Sequence, residues 1–287
     1  MIFTVALAAL LMAPDVDTTV AVQHGQRLQV SAHSAAITIR GWTRSSVRLK
    51  TGNDEGAPRL ELSSGAVVVH GDTRRGTPSD ADIELTIPSW MAVSVDGVDG
   101  DIHIDGIDAP ISAETVQGSI AVHGGQGVIV LHSVEGTVTL SGARGRIDVA
   151  SINADVRVTD VDGDIAAETV NGGIDLLRVT SGNAEANTVN GDIAYSGPIR
   201  DGGRYHLATH NGDVTIGLAP TASAQVSVST FQGEFQSDFP VTLRDRLGKR
   251  FGFTLGGGGA RVDLDSFQGT IRLARPGSFE KKSSSDR

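Results

Sequence analysis

A chain of 287 residues with no cysteine can bury a substantial interior unaided, and it excludes a disulfide framework, a thiolate metal site and a lipidated-cysteine anchor. The formal net charge of −10, with no cluster of Lys or Arg, argues against nucleic acid or an anionic membrane surface, both of which need a basic footprint. Aromatics at 4%, 36 glycines and recurrent Val, Ile and Thr predict thin β-branched strands rather than long helices.

In chain order, Met1 to Ala13 forms an apolar run of secretory-leader length, and polar sequence begins near Pro14 or Asp15. Export is therefore expected, to the periplasm or beyond. No Lys or Arg precedes Arg27, and Pro14 fits poorly behind a cut at Ala13, which suggests a start further upstream or a cut elsewhere. The competing reading is an N-terminal strand of a cytosolic protein. The run is too short to span a bilayer and no later segment is apolar enough to do so, so no transmembrane anchor is expected. Next come short alternating strands at Leu28–Val30, Ile37–Ile39, Val47–Leu49, Leu60–Leu62, Val67–Val69 and Ile83–Ile87, separated by turn-rich segments. They read as irregular first coils or as a small antiparallel sheet, and either arrangement would cover an open sheet edge.

From Val98 onward the chain repeats. The pattern is apolar, polar, Gly, small or Asp, Ile or Val, any, apolar. It begins at Val98, Val116, Val134, Ile152 and Val170, in steps of eighteen residues. A weaker copy lies midway, with Ala109, Gly127, Gly145 and Gly163 each followed two residues later by Ile. Nine residues hold one strand and one turn, so two units make a flattened coil, and stacked coils place Ile102, Ile120, Val138, Val156 and Ile174 in one interior column. Later copies start at Val189, His210, Phe231 and Phe267 with looser spacing. The two Phe starts suggest broader apolar cover for a terminal coil. Asp245 to Arg250 and Gly256 to Gly259 read as a surface loop or hairpin, and Glu280 to Arg287 as a disordered polar tail.

The expected fold is thus all-β, a single-stranded parallel β-solenoid of about 18 residues per coil with an irregular N-terminal β cap. Its parts are a leader-like segment and start of the mature chain at 1–22, a β cap at 23–95, solenoid repeats at 96–275 and a polar tail at 276–287.

Chemistry is harder to find. Asp101, Asp155, Asp164, Asp192 and Asp213 follow turn residues, but the second and third glycines of a calcium β-roll are missing and Ser119, Thr137 and Gly173 interrupt the column. These Asp read as turn formers bonding local backbone. The polar residues Asp99, Gln117, Glu135, Asn153, Asn171, Asn190 and Asn211 either turn the chain or stack as an amide ladder. His123 and His132 should project from opposite sheets. His206 and His210 should stand about 13 Å apart along a strand. Asp105, His123 and Ser141 should share an outward column, but no oxyanion donor or lid accompanies them. Arg144, Arg146, Arg157 and Arg178 are scattered, Thr137 and Thr139 lack threonine partners in adjacent coils, and no carboxylate pair stands out. No catalytic, cofactor-binding or metal residue is assigned.

Ser34 to Leu49 (SAAITIRGWTRSSVRL), followed by Ile83 to Ile102 (IELTIPSWMAVSVDGVDGDI), resembles the opening of the bacterial putative-adhesin β-strand-repeat family, of unknown function. There a strand ending in Pro, here at Ile87-Pro88, leads through an alternating strand into repeats like those above. The resemblance covers roughly residues 20 to 275 and implies an exported or envelope-associated β-solenoid with no catalytic residues to carry over. The functional expectation is a non-catalytic, adhesin-like interaction or scaffold protein whose partner is an unknown protein or glycan at the cell envelope. The alternatives are a polysaccharide-active β-helix enzyme and a weak calcium-binding repeat protein.

Overall fold

A computed structural model describes residues 16–51, 58–63, 65–71, 82–241, 245–247 and 250–276. The leader-like run and the polar tail lie outside the described residues. Within them the chain is β throughout, with strands in two sheets of 13 and 14. Among the described residues no helix is long and apolar enough to cross a membrane.

The eighteen-residue step becomes hydrogen-bonded register. Ile102 pairs with Ile120, Ile120 with Val138, Val138 with Val156 and Val156 with Ile174, all in parallel. The midway units stack likewise in the other sheet, where Ile111 pairs with Ile129, Ile129 with Ile147 and Ile147 with Ile165. Strict alternation explains the two layers: in Val138–Ser141 and Val156–Thr159 every second side chain is buried, and the inner faces of both sheets form one core. Each fully buried Val, Ile or Leu contributes about 1.5–3 kcal/mol. A charge at Val138, which is 0% exposed, would therefore break the stack.

At Gly136 the corner requires a residue without a side chain, since a Cβ there would lie 1.7 Å from the carbonyl oxygen of Gly118 in the preceding coil. Where the period lengthens beyond Val170, extra residues are taken up inside strands, Ser181 pairing with Ile199 but Asn183 with Arg204. The register shifts between Ser181 and Asn183 as that strand meets the long strand Ile199–Asn211.

Two features depart from a simple stack. The first coil, Arg27–Ser34 with Ile37–Trp42, lies inside the end of the solenoid, flanked by Ala66–His70 and Ile83–Pro88 on one side and by Val93–Asp99 and Ile102–Ile107 on the other. At the other end the last coil, Ala260–Gln268 with Ile271–Ala274, slots between the coil of Ile199–Asn211 and Val214–Gly217 and the coil of Ala224–Thr230 and Phe235–Ser237. Antiparallel strands finish both sheets at the N-terminal end and one sheet at the other, where the parallel strand Phe235–Ser237 is the edge of the second. Ser46–Thr51 and Val16–Ala21 extend one sheet and Arg59–Leu62 the other, while Arg250–Leu255 and Asp245–Leu247 form a hairpin on Ala224–Thr230. The N-terminal strands thus realise both sequence readings, a first coil and antiparallel cover.

The interior is not wholly aliphatic. Tyr195 and Tyr205 are both buried and meet edge to face at 5.6 Å.

Candidate interaction surface

One corner of the coil, where the chain passes from the second sheet to the first, stacks four chemically distinct columns. The innermost is buried Ser and Thr. Ser133 Oγ donates to the Gly118 carbonyl at 2.9 Å, Ser151 Oγ to Gly136 at 3.0 Å, Thr169 Oγ1 to Ala154 at 3.0 Å, and Thr188 and Thr209 repeat the bond to Gly172 and Gly191. Each of these five hydroxyls ties its strand end to a corner carbonyl, whereas Thr115 Oγ1 at the start of the column is buried without a partner, and a satisfied buried pair of this kind contributes about 1 kcal/mol. Sequence reasoning missed this column, although its Ser/Thr period of eighteen from Thr115 to Thr169 was visible.

The next residue outward is the first apolar position of each repeat. Val98, Val116, Ile152, Val170, Val189, Phe267 and Phe231 are 39–51% exposed. Their backbones stay in the ladder, the carbonyls of Val116, Val134 and Ile152 accepting from Glu135, Asn153 and Asn171 at 2.8–3.0 Å. Phe231 stacks on Phe267 with centroids 4.9 Å apart and Phe267 on His210 at 4.7 Å, all nearly parallel. The two Phe therefore do not cover a terminal coil. They continue an outward ridge, because the chain turns between this position and the first inward residue of the next strand.

Beside the ridge the amide ladder forms. Asn171 Nδ2 donates to Asn153 Oδ1 at 2.9 Å, Asn190 to Asn171 at 2.9 Å and Asn211 to Asn190 at 2.8 Å, and Gln268 donates to Gln232 at 3.1 Å. Beyond the glycines, the Asp column bonds the adjacent coil instead of local backbone. Asp101 accepts from the N–H of Ser119, Asp155 from Gly173, Asp192 from Asp213 and Asp213 from Thr270, at 2.7–2.8 Å. The reason is parallel stacking, which leaves the equivalent N–H of the next coil nearer than any local donor. Among the described residues no three His, Asp or Glu side chains gather as a metal site.

Asp105, His123 and Ser141 do stack in one outward column. His123 Nδ1 and Ser141 Oγ are 3.0 Å apart, on an open sheet face. His132 lies on the opposite sheet, 3.2 Å from Asp148. His206 and His210 serve different neighbours, Asp265 at 3.8 Å and the Phe267 ring. Arg157 and Arg178 are each paired with an Asp one coil away, Asp175 and Asp160; the Arg178 guanidinium holds Asp160 below the usual carboxylate range. A shallow depression on the outer face of the second sheet is lined by Glu185, Arg204, His206, Arg261 and Asp263. There Glu185, His206 and Asp263 form a column across three strands.

Relatives fix the family. The sequence profile of Toastrack DUF4097 matches residues 26–274. The chain belongs to the Toastrack family. No curated protein matches it. Solved structures similar to this Toastrack chain include a putative adhesin from Bacteroides fragilis, 12% identical, over 91% of this chain and 97% of that one with a TM-score of 0.43. A putative adhesin from Parabacteroides merdae is 8% identical over 92% and 97%, with a TM-score of 0.43. A putative lipid binding protein from Parabacteroides distasonis is 11% identical over 92% and 98%, with a TM-score of 0.46.

Proposed function

We propose that this Toastrack chain is a non-catalytic, exported scaffold that engages a protein or glycan at the bacterial cell envelope, an adhesin-like role. The observation that carries the reading is the stacked corner, whose row of exposed apolar side chains is broken only by the half-buried Val134 and by His210. A ridge of exposed apolar side chains beside an amide ladder runs through successive coils, and contiguous exposed apolar surface marks interaction sites. The apolar run Met1–Ala13 and the adhesin names of the Bacteroides and Parabacteroides structures support the location and the role. Fractionation of the native cell with N-terminal sequencing of the protein tests the location. Recovery from the envelope or medium is expected, and recovery from cytosol alone defeats the reading.

The polysaccharide-active alternative has a specific place to reside. Glu185 and Asp263 flank His206 in register, in a shallow depression that Arg204 and Arg261 also line, so acidic and basic side chains gather at one place on the outer face. A glycan panel separates the two readings. Binding without turnover is expected; turnover abolished by Glu185→Gln or Asp263→Asn would install the enzyme instead.

A further inference from the structure

The ridge has three properties that together specify an occupant. Its knobs recur at the strand spacing of about 4.8 Å, because each comes from the next hydrogen-bonded coil. A surface that interdigitates with such a row along its whole length must carry the same pitch, as facing ladders do in dry β-sheet interfaces. The second property is charge. The molecule carries a net −10, so a like-charged copy is best accommodated along a strip poor in carboxylates, and the ridge positions from Val98 to Val189 carry none.

The third property is polarity along the row. The neighbouring column has its carboxylates, Asp99 and Glu135, near the N-terminal end, and only Asn and Gln from Asn153 onward. Side-chain size runs the same way, with Val at the N-terminal end and the stacked Phe267 and Phe231 at the other. Two copies laid parallel would set each carboxylate against its own counterpart and Phe against Phe. Laid antiparallel, Asp99 and Glu135 face neutral amides and His210, and each Phe faces a Val.

We propose that the corner ridge is a homodimer interface, in which a second copy of the chain packs antiparallel with its ridge interleaved and its amide ladder alongside. Nine ridge positions at that pitch span about 40 Å. With two side-chain columns in contact, the buried area is on the order of 1,200 Å² in total, the lower end of specific interfaces. Association is therefore reversible and concentration-dependent. The inference does not depend on where the chain resides or what else it binds.

Sedimentation equilibrium of the full chain over a wide concentration range tests it. A monomer–dimer equilibrium is expected, weakened at least about tenfold by Val170→Lys at the ridge centre, with an unchanged circular dichroism spectrum showing that the variant folds. A monomer at every concentration overturns the proposal, including one that instead floats with phosphatidylcholine vesicles. Orientation is read by cross-linking, which the absence of native cysteine makes clean. Val170 is the fifth of nine positions, so Val170→Cys should join to its own copy under mild oxidation. Val98→Cys and Phe231→Cys should join to each other in a mixture and not to themselves. Efficient self-joining of Val98→Cys would refute the antiparallel arrangement.

Discussion

Tyr195 and Tyr205 provide an internal comparison that tests the side-chain placement directly. Both are buried and they touch, but their hydroxyls differ. Tyr205 OH donates to the Ser181 carbonyl at 2.6 Å and accepts from the Arg200 N–H at 2.9 Å. Tyr195 OH is buried without a partner. Leaving a hydroxyl dry and unbonded costs about 1–3 kcal/mol. Tyr195→Phe removes that penalty while keeping the ring, and should stabilise the protein by about 1 kcal/mol. Tyr205→Phe leaves two backbone groups without their partner and should destabilise by about 2 kcal/mol. Urea midpoints followed by circular dichroism give the sign of each change. Burial also pushes the Tyr195 phenol far above its ordinary 10.0, so the folded state holds its proton where the unfolded state releases it. A group whose folded value is raised contributes its stability in full below the unfolded value, and that contribution falls as pH rises past 10. Tyr195→Phe should therefore flatten the alkaline loss of stability as well. If Tyr195→Phe destabilises the protein as Tyr205→Phe does, the Tyr195 hydroxyl has a partner and the reasoning fails.

Gly136→Ala should destabilise by at least about 2 kcal/mol, since the added Cβ meets backbone rather than a movable side chain, whereas Gly182→Ala, with nothing within 4 Å, should be neutral or stabilising by about 0.5 kcal/mol; thermal melts check the pair. Asn171→Leu removes the bonds to Asn153 and Asn190 and should cost about 1–2 kcal/mol in urea, the exposed site keeping each bond near the low end of its range. Hydrogen exchange should protect Ile271–Ala274, paired on both sides, more strongly than Phe235–Ser237, paired on one.

The stack was legible because its cause is local and periodic. A strand's two-residue alternation and a corner glycine both leave marks at fixed spacing, and Ile102, Ile120 and Val138 could be placed above one another from arithmetic alone. The exposure of Val116 and Val170 was not legible, because an apolar residue at a corner looks the same in sequence whether the chain turns before it or after it. The Asp column was misread for a related reason: its donors lie 18 to 57 residues away, and only stacking makes them near. Asn171 and its neighbours suited two readings, and the structure satisfies both at once, since a residue can turn the chain and bond its counterpart. Tyr195 sits on the last apolar position of the repeat that begins at Val189, in register with Leu176 and Ile216, so its burial follows from the period, whereas its contact with Tyr205 across the two sheets could be seen only in three dimensions.

The inserted terminal coils answer a problem that any linear stack has. In a solenoid each layer is held by its neighbours, so the outermost layer has half the contacts and the chain ends are the natural place for fraying. Here the first and last complete coils are not the outermost layers. Arg27–Ser34 and Ala260–Gln268 each pair on both sides, so releasing either means breaking two ladders. The layers outside them are internal segments of chain, closed by antiparallel strands that run against the stack. At the N-terminal end a further parallel coil would meet an antiparallel edge in both sheets, and at the other end in one sheet, the second ending on the short parallel strand Phe235–Ser237. End-to-end growth is thereby disfavoured most strongly at the N-terminal end, where both sheets close on antiparallel strands, and the long outward corner is a further surface through which the molecule can associate.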